Sequence, residues 1–309
     1  MPMRALIAAL VLVVSCSSAS AGQTALGEGF DTLYRIDLDS RTAQAIGPSG
    51  VFGGNPIAVE GLAFAPDGKL YAVSDNLKLF LQINPQTGAA TVIGSLGLAG
   101  QGTGQFDSLD MSMAFTCDGK AWIASAGTGK FWQVDPNSGA TTYVGNLGVS
   151  ITGLTARNGT LYGAGGRTSP SLYAINTANA QASVIGSFGI GSQWITFVSP
   201  GFDSSGKMWA VLDNVPPGPG VDTLPLWSDL ATLGGNGTLT NLGNITGPAG
   251  LQKQGLKGLA FGPPACQSGN AGNPGLYTPT PALSSPFKVV LAILLALLAG
   301  TTLRRRRPK

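Results

Sequence analysis

One phrase, worn but recognisable, recurs along this chain and limits what it can fold into. An apolar run ends in Ile or Val followed by Asp or Asn. A polar turn comes next, and a second run closes on Ile, Val or Leu followed by Gly. The copies run from Leu33-Tyr34-Arg35-Ile36-Asp37 to Gly47, from Phe80-Leu81-Gln82-Ile83-Asn84 to Gly94, from Phe131-Trp132-Gln133-Val134-Asp135 to Gly145, and from Leu172-Tyr173-Ala174-Ile175-Asn176 to Gly186. A degenerate copy closes at Leu242-Gly243, so the closing glycines stand 47, 51, 41 and 57 residues apart. A second phrase alternates with the first. Gly61-Leu62-Ala63-Phe64 leads through Pro66-Asp67-Gly68-Lys69 into Leu70-Tyr71-Ala72-Val73. Its relatives pass through Cys117-Asp118-Gly119, Asn158-Gly159 and Ser204-Ser205-Gly206, and the last copy is Gly258-Leu259-Ala260-Phe261.

Asp-Gly and Asn-Gly between alternating apolar runs are hairpin turns, because these residues tolerate the positive φ that a tight turn demands. Each period therefore holds two hairpins, four strands in about 45 residues, which is the blade of a β-propeller. The unit resembles the NHL, YVTN and quinoprotein-like propeller repeats, and it lacks the Gly-His…Trp-Asp signature of WD repeats. Four full blades are predicted, over about 60–94, 113–145, 153–186 and 195–243. The N-terminal side leaves the last two strands of a further blade (33–47). The C-terminal side leaves its first strand at Gly258–Phe261, with a candidate second strand at Gly275-Leu276-Tyr277. The fold class expected is all-β: a propeller of four-stranded antiparallel blades, five in number with six as the alternative. A split blade closes it and removes exposed sheet edges. The propeller is placed at 22–264, with a possible extension to 278.

Composition agrees with many short strands. Charged residues make up 11% of the 309 residues and Gly contributes 46, where a typical globular chain carries about 25% charge. The formal charge of +3 hides a division. Arg4, Lys288, Arg304 to Arg307 and Lys309 lie in the terminal segments. Of 18 basic residues, 11 remain in the body against 15 acidic ones. A mildly acidic body argues against nucleic-acid binding. The absence of His excludes a Ser-His-Asp triad and every His-ligated metal site made by this chain alone.

The two ends follow export grammar. Arg4, the apolar run Ala5–Val14 and Ala19-Ser20-Ala21 form a signal peptide over 1–21. Cys16 offers the alternative of lipidation at a lipobox-like Val13-Val14-Ser15-Cys16. At the other end, 265–286 is a Gly/Pro-rich linker, 287–303 a predicted transmembrane helix, and 304–309 a basic tail. The apolar stretch is short for a ~30 Å hydrocarbon core, and snorkelling by Lys288 and the arginines covers the difference. Arg304, Arg305, Arg306 and Arg307 act as a membrane stop that stays in the cytoplasm. Motif, apolar helix and Arg cluster together resemble the PEP-CTERM class of sorting signals. Thr280-Pro281-Ala282-Leu283-Ser284 is similar to the IPTL-CTERM variant at Pro281, Leu283 and Ser284, with Thr280 in place of Ile and Ser285-Pro286-Phe287 following. The resemblance implies a sorting protease that cuts the tail, so the protein is either anchored in the inner membrane with the propeller outside or released to the cell surface. A plain C-terminal anchor is the alternative.

Cys117 and Cys266 follow equivalent strand phrases and so occupy equivalent turns on one face. Export permits a disulfide between them. One blade separates them by this count, and Cα atoms more than about 7 Å apart cannot be bridged, so two free thiols stand as the alternative.

Propeller sites gather where the inner strands begin. Glu60 precedes Gly61-Leu62, Lys257 precedes Gly258-Leu259, and Met111 and Thr152 hold the matching places elsewhere. Glu60 and Lys257 fall in neighbouring blades and are expected to pair at the channel mouth, with Asp110 beside them. These three residues are the candidate binding site, a purely structural ion pair being the other reading. Asp75-Asn76 and Asp213-Asn214 recur after the second strand of two blades, as Ca²⁺ ligands or as solvated turns. No other cofactor and no catalytic residue is expected. The function expected is an exported, non-catalytic propeller that binds a surface polymer or protein. The alternative is a glycoside hydrolase or lyase working through Glu60 and Asp110, which would need carboxylates about 5–10 Å apart. A quinone-dependent dehydrogenase finds little support, since no cluster of Arg and His awaits an anionic quinone.

Overall fold

The computed structural model describes residues 23–166, 168–189, 195–214, 227–248 and 255–266, all within the compact unit Met1–Pro274. The expected signal peptide 1–21, Cys16, all of the expected linker 265–286 but its first two residues, Thr280–Ser284, the apolar stretch 287–303 and Arg304–Arg307 lie outside the described residues, as does Gly275–Tyr277. Among the described residues no helix is long and apolar enough to cross a membrane.

The described chain forms a five-bladed β-propeller of four-stranded antiparallel sheets. Blade 1 opens with β1 (Thr24–Gly29), β2 (Thr32–Asp37) and β3 (Thr42–Pro48). A short hairpin follows, β4 (Val51–Phe52) and β5 (Asn55–Pro56). Blade 2 holds β6 (Val59–Phe64), β7 (Leu70–Ser74), β8 (Leu79–Ile83) and β9 (Ala90–Ser95). Blade 3 holds β10 (Met111–Phe115), β11 (Ala121–Ser125), β12 (Lys130–Val134) and β13 (Thr141–Asn146). Blade 4 holds β14 (Ile151–Arg157), β15 (Thr160–Gly165), β16 (Ser171–Asn176) and β17 (Gln181–Ser187). Blade 5 holds β18 (Ile195–Phe202), β19 (Met208–Asn214), β20 (Trp227–Leu233) and β21 (Leu239–Asn244). The last strand, β22 (Lys257–Ala260), pairs with β1 and completes blade 1 in the order β22-β1-β2-β3.

The split closure corrects the expected strand division. The second strand of blade 1 is β1, turned back onto β2 through Phe30-Asp31, and not Gly275–Tyr277. The N-terminal side thus supplies three strands and the C-terminal side one. That one is held through only two paired positions, Leu26 with Ala260 and Glu28 with Lys257, across a bulge.

The recurring closing glycine has a structural cause. Every fourth strand bulges at the apolar residue just before it: Ile46, Ile93, Val144, Ile185 and Leu242 are skipped in the register. The glycine that follows lets the next blade's third-to-fourth-strand turn press against bare backbone. Gly47 meets Thr87, Gly94 meets Ser138, Gly145 meets Ala180 and Gly186 meets Asn236. Gly243 faces Arg41, which brings the series back to blade 1. Backbone bonds reinforce the stacking, Ala90 N–H to Ser49 O across blades 1 and 2, and Ala43 N–H to Thr246 O across blades 1 and 5.

Large apolar side chains fill the spaces between blades. Trp132, Phe80 and Phe131 are fully buried, and Tyr71 stacks on Phe80 as Trp122 does on Phe131. The core is thus a ring of inter-blade layers around the axis.

Candidate functional site

The inner strands β6, β10, β14, β18 and β22 line the central channel. Matching positions carry Gly61, Ser112, Gly153, Ser199 and Gly258, a ring of the smallest residues, followed by Leu62, Met113, Leu154, Pro200 and Leu259. The small ring reflects close approach of adjacent inner strands. A Cβ on Gly153 would collide with Val198 O and Pro200, and one on Gly258 would press on Leu62. The cavity these described residues enclose has room for about one water molecule.

One end of the channel is covered. After β22 the chain continues as a strap, 261–266. Its Ala265 carbonyl accepts a hydrogen bond from Asn158 N–H of blade 4, and its Cys266 is disulfide-bonded to Cys117 of blade 3, with the Cα atoms 5.7 Å apart. Blade 1 faces the gap between blades 3 and 4 in a five-membered ring, so the strap crosses the channel end from one side to the other. Of the two readings left open by the sequence, the disulfide is the one found: the intervening blade is no obstacle because Cys266 lies beyond its blade, carried across the axis by the strap.

The opposite end is the mouth, where the inner strands begin. Lys257 Nζ lies 2.8 Å from Glu60 Oε1, 3.8 Å from Asp110 Oδ1 and 4.3 Å from the centre of the Phe197 ring. One ammonium therefore joins side chains from blades 1, 2 and 5 and from the loop entering blade 3. The other Glu60 oxygen accepts from Met111 N–H at 2.8 Å. Burial pushes the Glu60 carboxyl above the ordinary carboxylate range, and Lys257 offsets part of that shift. Burial alone would lower the Lys257 ammonium, but the Glu60 and Asp110 carboxylates outweigh it and hold the group above its usual value. The side chains of Glu60, Lys257 and Asp110 are 14%, 22% and 33% exposed, so the network is reached from outside chiefly through Asp110. The sequence-predicted trio is brought together, with the lysine lodged against both carboxylates.

Asp75 and Asp213, read from the sequence as calcium ligands or solvated turns, are not solvated: both are buried and bonded within the fold. One Asp75 oxygen takes the Lys78 ammonium at 2.7 Å, and the other accepts from Ser108 Oγ–H, Leu109 N–H and Asp110 N–H. Asp213 Oδ1 accepts from Ser228 Oγ–H and Leu256 N–H. Each carboxylate thus fastens the end of a second strand to the chain entering the next blade. Asn76 Oδ1 accepts from Ala58 N–H and Ser74 Oγ–H, and Asn214 donates to Asp229. Burial raises Asp213 to about 7. Among the described residues no group of three or more His, Cys, Asp or Glu is placed to hold a metal ion.

Sequence reasoning missed Glu28. It sits on β1 opposite Lys257, fully buried, with Oε1 accepting from Ser49 Oγ–H at 2.6 Å and Oε2 unpartnered. Burial raises its carboxyl to about 8; the Ser49 bond opposes this and the nearby Asp31 charge adds to it. Its rarity as one of only two Glu in the chain was visible, but the strand that buries it carries neither repeat phrase.

No family model and no curated protein matches the sequence. Among solved structures the chain is similar to a Bacteroides thetaiotaomicron protein of unknown function, at 20% identity and a TM-score of 0.45, over 61% of this chain and 53% of that one. It therefore spans about half the length of that protein. It is also similar to a chain of the nidogen/laminin complex, at 12% identity and a TM-score of 0.48, over 79% of this chain and 99% of that one.

Proposed function

We propose that this chain is a non-catalytic binding propeller, exported and held at the cell envelope or sorted to the surface through its C-terminal tail, and that it binds a polymer or protein with its mouth face. The observation that carries the reading is the placement of Lys257. Its ammonium occupies the position between Glu60 and Asp110 that a sugar ring or a hydrolytic water would need, and the narrow, strapped channel gives a substrate no passage past it. The Cys117–Cys266 bond supports an oxidising compartment and thus the export reading. The N-terminal signal and the tail motif support it from the sequence.

Binding of the full chain, solubilised in mild detergent, to immobilised peptidoglycan, neutral and acidic polysaccharides and matrix proteins tests the proposal. Retention by at least one, reduced by Asp110→Asn at the exposed end of the network, is the expected result. No retention by any of them contradicts it.

The convergence of Glu60 and Asp110 on one point, with Glu60 shifted upward, favours the second reading, a glycoside hydrolase or lyase. That reading requires Lys257 to leave its carboxylates when substrate arrives.

A further inference from the structure

The two faces of the propeller differ in what they expose. On the strap face, Asp67 is paired with Lys69 and Asp118 with Lys120. On the mouth face, four apolar side chains among the described residues stand in solvent: Phe30 at 50% exposure, Val51 at 66%, Phe52 at 47% and Phe106 at 81%. They belong to three loops that hydrogen bonds tie into one crescent over blades 1 to 3. Phe30 O accepts from Val59 N–H at the entry to blade 2. The hairpin carrying Val51 and Phe52 is fastened by Asn76, whose Nδ2 donates to Pro56 O. On the far side of the same β7–β8 turn, Lys78 Nζ donates to Asp107 O, the neighbour of Phe106. Apolar patches of this kind, rimmed by polar groups, mark interaction sites on soluble proteins.

The charges of the crescent have one sign. The segments 29–31, 49–58, 75–78 and 96–110 contain a single base, Lys78, and it is buried against Asp75 and Asp107. The part-exposed charges are Asp31, Asp107 and Asp110. Asp110 is held only loosely, 3.8 Å from Lys257.

From exposed apolar side chains interleaved with part-exposed carboxylates that outnumber the bases beside them we infer that the crescent docks a polypeptide segment of a partner that presents Lys or Arg beside apolar residues. The apolar groups of that segment cover Phe52 and Phe106, and its cations meet Asp31 and Asp110. Complementarity of this kind sets partner choice and on-rate, with the buried apolar centre holding the complex. The inference rests on the binding reading of the mouth face and names its partner.

The test uses the full chain in mild detergent and three labelled peptides of repeating Lys-Phe-Ser, Glu-Phe-Ser and Lys-Gly-Ser, followed by fluorescence anisotropy. The expected result is that only Lys-Phe-Ser binds well. F52S/F106S should weaken it at least about tenfold. F106S alone, a loop-tip change that leaves every blade intact, should weaken it in the same direction. D31N/D110N should weaken binding and flatten its salt dependence, whereas D67N/D118N, an equal charge change on the strap face, should leave it unaltered. Binding that falls equally with D67N/D118N, or that ignores F52S/F106S and F106S, overturns the inference. If a polymer still binds the mouth while the crescent variants change nothing, the binding reading survives and the crescent is wrong; if the wild type retains neither peptide nor polymer, both fall.

Discussion

The backbone of Thr87 occupies the space that a Cβ on Gly47 would need, so a turn in blade 2 rests on bare backbone in blade 1. The same relation joins Gly94 to Ser138 and Gly186 to Asn236. The repeat glycines are therefore the contacts through which blades stack. Gly94→Ala should cost about 1–3 kcal/mol through overpacking, seen as a lower denaturant midpoint with an unchanged slope. Gly235→Ala, where nothing lies within 4 Å, is the control and should be close to neutral.

The disulfide should be worth more than any single packing contact. It joins positions 149 residues apart, and closing so long a loop restricts the unfolded chain by about 4–5 kcal/mol. Only two strand positions otherwise hold β22 on β1. Cys117→Ser, or reduction of the wild type, should lower the unfolding midpoint by a comparable amount. Hydrogen exchange should rise first at β22 and β1.

Two buried carboxyls give stability an unusual pH profile. Glu28 rises from 4.5 to about 8 and Asp213 from 3.8 to about 7. Each binds its proton more tightly in the folded chain, so its stabilising effect is complete below the unfolded value. It declines as pH rises to the folded value, by about 1.4 kcal/mol per unit per group, and is level above it. Asp203 acts in the opposite sense. Burial would raise it, but hydrogen bonds from Ser205 and Trp209 lower it to about 2, so its contribution is lost only in strong acid. The propeller should be most stable near pH 4 and weaken toward pH 8. Glu28→Gln should flatten the upper part of a melting-temperature profile and raise stability at pH 8. An unchanged slope would show that Glu28 does not titrate in that window.

Breaking the mouth network on one side should be costly. Lys257→Met leaves Glu60 buried without its cation, a loss of about 3–5 kcal/mol. Adding Glu60→Gln should recover much of it, a non-additivity read from a double-mutant cycle.

Much of this was legible in the sequence, and the parts that were not have identifiable causes. Hairpin turns and closing glycines marked blades 2 to 5 to within two residues, because Asp-Gly turns and inter-blade contacts depend on local residue type. The pairing of Glu60 with Lys257 followed from counting blades. The second strand of blade 1 was not seen, since Thr24–Gly29 carries neither phrase. The Cys117–Cys266 disulfide was legible only as a candidate beside two free thiols, because the strap that carries Cys266 across the axis has no periodic signal to decide between them. Asp75 and Asp213 were noticed for their spacing, but their use as fasteners between blades depends on backbone N–H groups that no side-chain pattern reveals.

The most direct test of the central claim is product release. The wild-type chain and Glu60→Gln are incubated with the polysaccharides that the full chain binds, and new reducing ends and unsaturated sugars are measured. The account predicts no product from either protein and binding by both. Product from the wild type that disappears in Glu60→Gln and in Asp110→Asn would contradict it and make the mouth an active site.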